Sequence, residues 1–291
     1  MRTVIVVCAF LAARYCMAAS NSERWSVRGE ETIRKTLTLS GEPMRLLVDN
    51  LDGYVHVTGT SGSEVRVTAH QTIRAETDSD LQEAKNEVKL QMEEKPGTVS
   101  IYYDAPWRCS NCCGNGCRGE HRRFYEVRYD IDVEVPRAAR AVVSTVNHGD
   151  VQVDGMTGDF DVKDVNGGIA MTKISGSGDV HTVNGPVRVE FAKNPATASS
   201  FKSVNGALDV YFQPNLNADL LFKTFNGQVY SDFDVTPRAT PVETERKNGR
   251  YVYRSNRLQG GSAGRGGPQL SFDTLNGNVR LHRAGQGGEN Q

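Results

Sequence analysis

An apolar residue followed by Asn-Gly recurs along this chain at short, regular intervals, and that repeat constrains the fold more than any other feature. The copies are Val165-Asn166-Gly167, Val183-Asn184-Gly185, Val204-Asn205-Gly206, Phe225-Asn226-Gly227 and Leu275-Asn276-Gly277. Val146-Asn147 opens the series with His148 inserted before Gly149, and Leu51-Asp52-Gly53 is an early relative. From Val146 to Phe225 the spacings are 19, 18, 21 and 21 residues, and the last copy, Leu270 to Leu281, follows an insertion. With the apolar residue numbered zero, apolar side chains recur at −3, 0, +4 and +6, and position −1 holds Thr145, Asp164, Thr182, Ser203, Thr224 and Thr274.

Asn-Gly between alternating apolar residues is a hairpin signal, because a type I′ turn needs positive φ twice. In a two-residue hairpin, however, position −1 opposes +4 and position 0 opposes +3, and opposed residues share a face. Here −1 is polar while +4 is apolar, and 0 is apolar while +3 runs through Gly168, Pro186, Ala207, Gln228 and Asn278. Pro186 also lacks the N–H that would close such a turn. A bend between −3 and 0 and another at Asn-Gly would send −3, 0, +4 and +6 inward, which is one coil of a β-solenoid. Each coil would bury about four apolar side chains, worth roughly 1.5–3 kcal/mol apiece before the backbone is ordered. The expected fold class is all-β: a β-solenoid or β-helix-like stack of coils of about 20 residues, with one short helix and a long hairpin insertion.

Met1-Arg2, the apolar run Val4 to Ala13 and the small residues around Ala18-Ala19-Ser20 predict a secretory signal peptide over residues 1–19. That run is about half of the ~20 residues a membrane span needs. The mature chain is therefore expected to be exported, to the periplasm, the cell surface or the medium, with no transmembrane segment. Without Arg2 and Arg14 it carries 32 Lys and Arg against 35 Asp and Glu, which leaves no footprint for nucleic acid or an acidic membrane. Residues 20–140 read as an N-terminal β region holding the first repeat copy. A short helix is predicted from Ser79, with Gln82 at capping-box spacing, to about Val88. Val99 to Tyr103 and Phe124 to Val135 look like the arms of a long hairpin tipped by a Cys-rich loop, 107–123. Residues 141–283 hold the repeats. Their Arg/Gly/Pro-rich insertion, 236–268, is expected to be mobile, and 284–291 reads as a disordered tail.

Chemistry concentrates in the loop. Cys109, Cys112, Cys113 and Cys117 lie within nine residues, and in an oxidising compartment they predict two disulfides. Neighbouring Cys112 and Cys113 do not pair with each other, leaving Cys109–Cys112 with Cys113–Cys117, or Cys109–Cys113 with Cys112–Cys117. A metal site on the same four thiolates with His121 is the alternative. Trp107, Arg108, Arg118, Arg122 and Arg123 form a candidate binding surface, since arginine interleaved with aromatics suits anionic or sugar-like partners. The dinucleotide-like Gly114-Asn115-Gly116-Cys117-Arg118-Gly119 lacks a following helix, and Gly260-Gly261-Ser262-Ala263-Gly264 lies in a Gly-rich loop, so neither marks a site. No coherent acid, base and nucleophile set stands out, so no catalytic residue and no cofactor is assigned. Asp150, Asp154, Asp159, Asp161, Asp164 and Asp179 read as outward, solvated positions. An enzymatic alternative would use Asp150, Asp161 and Asp179 on one coil face to act on a polysaccharide; a sensing alternative would use the Cys loop.

Ser144-Thr145-Val146-Asn147, Lys163-Asp164-Val165-Asn166-Gly167 and Asp273-Thr274-Leu275-Asn276-Gly277 resemble the putative-adhesin family of exported bacterial repeat proteins. The resemblance runs from about Leu46 to Leu281. It implies a coil-stacked, non-enzymatic module that binds a cell-envelope protein or glycan, and it supplies no catalytic residues. The cysteine loop, His148 and the long insertion depart from the family's plain pattern.

Overall fold

The structure, a computed structural model, describes residues 25–108, 123–238, 243–247, 250–254 and 259–285. The signal-peptide expectation, the cysteines of the loop and the tail beyond Gly285 lie outside the described residues. Nearly all of the described chain is β, in one eleven-stranded sheet, one ten-stranded sheet and a separate two-stranded ribbon.

The N-terminal region contributes β1 (Val27–Thr38), β2 (Arg45–Asp49), β3 (Val55–Thr60), β4 (Glu64–Ala75), α1 (Asp78–Glu87), β5 (Lys89–Lys95), β6 (Thr98–Asp104) and β7 (Tyr125–Pro136). The helix is capped two residues earlier than predicted, by Thr77 instead of Ser79, and uses a different capping box. Thr77 Oγ1 accepts from the Asp80 N–H, and the Asp80 carboxylate accepts from the Thr77 N–H at 3.0 Å. Leu81 and Ala84 are its buried residues, three apart and so on one helix face.

The long hairpin is not what forms. β6 pairs with β2 and β5 in the eleven-stranded sheet, while β7 pairs with β3 and β4 in the ten-stranded one. The two arms carry apolar faces that meet across the core instead of sharing a ladder. Tyr103 and Tyr129 pack edge-on with ring centroids 5.6 Å apart, and the Tyr103 hydroxyl donates to the Val127 carbonyl at 3.3 Å.

The repeats contribute strand pairs: β8 (Arg140–Ser144) and β9 (Val151–Asp154), β10 (Phe160–Lys163) and β11 (Ile169–Ile174), β12 (Gly178–Asn184) and β13 (Val187–Phe191), β14 (Ser199–Asn205) and β15 (Leu208–Phe212), β16 (Ala218–Asn226) and β17 (Val229–Ser231). The first of each pair joins the eleven-stranded sheet and the second the ten-stranded sheet, with the Asn-Gly corner between them. Each pair is called a rung below. Neighbouring rungs are parallel and in register, as in Val162↔Val180↔Phe201 and Ile169↔Val187↔Leu208. Parallel pairing excludes a hairpin at Asn-Gly, which joins antiparallel neighbours.

The insertion then builds β18 (Val235–Arg238), β19 (Glu243–Lys247), β20 (Arg250–Arg254) and β21 (Gln259–Ala263), before the last copy forms β22 (Gln269–Asn276) and β23 (Val279–Arg283). The described residues of this stretch thus form strands where the sequence suggests a loop. β21 pairs antiparallel with β16 and β18, prolonging the eleven-stranded sheet, and β19 pairs with β20. The last copy does not join the end of the series. β22 lies between β14 and β16, and β23 between β15 and β17, so the chain returns to fill a slot between two rungs made earlier.

Side-chain parity at the corner also differs from the expectation. Val162, Val180, Phe201, Phe222 and Phe272 at −3 are buried, as are Ile169, Val187, Leu208 and Val279 at +4. Position 0, however, points outward, and position −1 is the buried one: Thr145, Asp164, Thr182, Ser203 and Thr274 are at most 4% exposed. Strand alternation runs unbroken up to Asn, so −3 and −1 share the inner face and the single bend falls at Asn-Gly. The buried hydroxyls are satisfied by the glycine carbonyl one rung away: Thr182 donates to Gly167 at 2.9 Å and Ser203 to Gly185 at 3.0 Å.

The corner glycines are needed for close approach, not for turn conformation. Gly167, Gly185, Gly206, Gly227 and Gly277 do not have positive φ, but a Cβ on each would lie within 2.2 Å of the carbonyl oxygen of the adjacent rung's glycine. Beneath the corners the core is a double file of rings. Phe201, Phe272 and Phe222 stack at 5.3 Å steps, and Phe191 stacks on Phe212 at 5.2 Å.

Candidate interaction surface

Because position −1 is inward, the outer face of the eleven-stranded sheet carries positions 0, −2 and −4 as columns. In rung order position 0 reads Val146, Val165, Val183, Val204, Leu275, Phe225. The valines are half-buried, while Leu275 is 46% and Phe225 60% exposed. With strands about 4.8 Å apart, six rungs make an apolar ridge about 24 Å long. Tyr230, 48% exposed, lies just past the corner of the terminal rung that carries Phe225.

Beside the ridge runs an unbroken amide ladder. Asn166 Nδ2 donates to Asn147 Oδ1 at 2.9 Å, Asn184 to Asn166 and Asn205 to Asn184 at 2.8 Å, Asn276 to Asn205 and Asn226 to Asn276 at 2.7 Å. Each amide offers two donors and two acceptor lone pairs, so one of each remains on every inner rung, facing solvent. On the other flank, position −2 holds Ser144, Lys163, His181, Lys202, Asp273 and Lys223. Lys163 pairs with Asp161 and Lys223 with Asp273, each at 3.0 Å, so much of this column's charge is neutralised locally.

At its N-terminal end the ridge meets a cleft of about 110 Å³ lined by Asp52, Thr72, Arg74, Glu126, Val127, Arg128 and His148. The residue inserted into the first corner, His148, adopts φ +53° and its Nδ1 lies 3.0 Å from Asp52 Oδ2. Burial pushes the Asp52 carboxyl above its ordinary range, with the His148 hydrogen bond opposing the shift. Arg128 is held by Asp130 at 2.8 Å.

The loop residues divide. Cys109, Cys112, Cys113, Cys117, Arg118, His121 and Arg122 lie outside the described residues. At the loop's base Arg108 makes a two-pronged contact with Asp49, both distances 2.7 Å, and donates to the Tyr103 carbonyl at 3.0 Å. The Arg123 guanidinium lies 4.1 Å from the Trp107 ring centroid, and that ring packs on Tyr125. These three residues thus pin both ends of the loop against the sheets. Of the acidic trio, Asp161 and Asp179 are register neighbours, whereas Asp150 sits at a corner accepting from the Gly168 N–H at 2.7 Å. Among the described residues no three His, Cys, Asp or Glu side chains form a metal-holding group, and no helix is long and apolar enough to cross a membrane.

Val146, Val165, Val183, Val204, Leu275 and Phe225 were expected in the core, so sequence reading alone misses the ridge. One signal was available: the increase in bulk from valine to Leu275 and Phe225 in the last two copies, which a tightly packed interior column would not accept without compensation.

No protein-family model and no curated protein matches the chain. Among solved structures it is similar to a putative cell adhesion protein from Clostridium sporogenes, at 10% identity over 88% of this chain and 100% of that one, with a TM-score of 0.44. It is also similar to a putative adhesin from Bacteroides fragilis, at 10% identity over 86% of this chain and 97% of that one, with a TM-score of 0.33. A putative lipid binding protein from Parabacteroides distasonis shares 10% identity over 86% of this chain and 96% of that one, with a TM-score of 0.23.

Proposed function

We propose that the chain is an exported, non-enzymatic β-solenoid that binds a neutral, hydroxyl-rich chain of the cell envelope, a glycan, along the outer face of its eleven-stranded sheet. The observation that carries this reading is the pairing of the apolar column from Val146 to Phe225 with the amide ladder from Asn147 to Asn226. A sugar chain presents C–H faces and hydroxyls side by side. The ridge suits the first, and the unused donor and acceptor on each amide suit the second. Local pairing of Lys163 and Lys223 argues against a strongly charged ligand. A surface already ordered by its neighbours above and below loses little freedom on binding, which favours affinity.

The reading is tested by measuring binding of the purified protein to insoluble envelope polysaccharide and to a panel of soluble glycans. Phe225→Ser and Leu275→Ser, both at exposed positions, are expected to weaken binding about tenfold or more together while leaving the unfolding midpoint nearly unchanged. Unchanged binding in that double variant, with loss of binding when residues 109–122 are replaced by a short Gly/Ser linker, would move the site to the cysteine loop. Glycan cleavage that vanishes in Asp161→Asn would overturn the non-enzymatic reading.

A further inference from the structure

The buried column at position −1 has one member that breaks its chemistry. Five rungs place a hydroxyl there, and each donates to the glycine carbonyl of the adjacent rung. Thr145 reaches Gly53 at 2.9 Å, Thr182 Gly167 at 2.9 Å, Ser203 Gly185 at 3.0 Å, Thr274 Gly206 at 3.1 Å and Thr224 Gly277 at 3.2 Å. The sixth place is taken by Asp164, which is 2% exposed and whose two side-chain oxygens complete no hydrogen bond, the nearest donors being the backbone N–H groups of Val165 and Asn166. The carbonyl due to be served from this place belongs to Gly149. The position a Cβ on Gly167 would take lies 2.2 Å from Gly149 O, 2.5 Å from Asp164 Oδ2 and 3.0 Å from Asp150 Oδ1, so three oxygens crowd one spot.

An ionised carboxylate only accepts hydrogen bonds, and against a carbonyl and a second carboxylate it would be repelled; a neutral carboxyl has one O–H to donate. We propose that Asp164 is carried in its acid form and donates to the Gly149 carbonyl as the threonines do elsewhere, making the joint between the β8–β9 and β10–β11 rungs dependent on one proton. The chemistry of the surroundings agrees. Burial, with Asp150 nearby, raises the Asp164 carboxyl to about 7, against the opposing effect of the Val165 and Asn166 backbone. Of the other charged groups on the neighbouring elements, Lys163 pairs with Asp161 and His148 with Asp52, and His181 lies half-buried on the outer face of β12.

The direction of the effect follows from proton linkage. The unfolded chain releases this proton near pH 3.8 and the folded chain only near 7, so between those values the native state binds the extra proton. Its stabilising contribution is complete below pH 3.8, falls as pH rises through the interval and is gone above about 7. The joint that loosens is the one beside the His148 cleft, where the repeat is already interrupted.

The test is denaturant unfolding of the full mature chain from about pH 5 to about pH 8.5, comparing the unaltered protein with Asp164→Thr and Asp164→Asn. The unaltered protein is expected to lose stability across this range relative to both variants. Threonine, the residue of the neighbouring rungs, should make the protein the more stable one at about pH 8. Infrared spectra of the unaltered protein at about pH 6 should also show a protonated-carboxyl band absent from Asp164→Asn. Identical pH profiles for the unaltered protein and Asp164→Asn, with no such band, would overturn the proposal even if the threonine variant failed to fold. Calcium chloride stabilising the unaltered protein at about pH 8 but neither variant would also overturn it, by making the two aspartates a cation site.

Discussion

Gly185→Ala is expected to destabilise the protein by about 3 kcal/mol or more, enough to unfold much of the repeat region. The added methyl would sit 2.1 Å from the Gly167 carbonyl oxygen and 2.5 Å from its carbon, and both are backbone atoms of a rung fixed by ladders on two sheets. Nothing flexible is available to move aside. Because Gly185 does not have positive φ, the cost comes from rung spacing and not from a disfavoured conformation. Gly62→Ala is the matched control: its nearest neighbour would be 3.9 Å away, and a change within about 0.5 kcal/mol is expected. Urea unfolding of both variants decides the matter, and an alanine at 185 as harmless as one at 62 would mean the corners are not stacked this closely.

Phe272→Ala should cost about 3–5 kcal/mol, because the ring is 1% exposed and sandwiched on both faces. Phe201 and Phe222 each stack on it at 5.3 Å, and Phe212 meets it edge-on at 6.4 Å. Phe222→Ala is expected to cost less, since Phe222, 6% exposed, has its stacked partner on one side only. That ranking is a consequence of the last copy lying inside the series. Were β22 at the end instead, Phe272 would have one stacked neighbour and Phe222 two, and the order would reverse. Thermal or denaturant unfolding of the two variants supplies the comparison.

The repeat was legible because side-chain alternation is written into it: Val162, Ile169 and Met171 could be placed inward by spacing alone, and they are buried. Parity at the corner was not legible. A threonine at −1 and a valine at 0 look like surface and core, but Thr182 can be buried because the Gly167 carbonyl is there to accept from it. That acceptor belongs to another rung, and no local reading reveals it. The Asn-Gly pair carries the same ambiguity, since glycine can answer a need for positive φ or for space, and only the contact of Gly185 with Gly167 distinguishes them. The return of Leu270 to Leu281 into an interior slot is also invisible to spacing, because the copy's own pattern suits any rung. The strands of the insertion were hidden by composition: Gly260 and Gly261 pair within β21 although glycine weakens a strand. The ridge followed from the parity error, so the outer surface from Val146 to Phe225 could emerge only once the fold was known.

The ridge, the amide ladder and the hydroxyl column all depend on rung order, and above all on the C-terminal copy lying between the two before it. A zero-length carbodiimide cross-link between lysine and carboxylate, mapped by mass spectrometry on the folded protein, reads that order directly. Asp273 lies in register with Lys202 on one side and Lys223 on the other, with its Oδ2 3.0 Å from Lys223 Nζ. Both the Lys202–Asp273 and the Lys223–Asp273 cross-linked peptides are expected. Rungs stacked in chain order would set Lys223 directly against Lys202, so recovery of Lys223–Asp273 without any Lys202–Asp273 would contradict the arrangement.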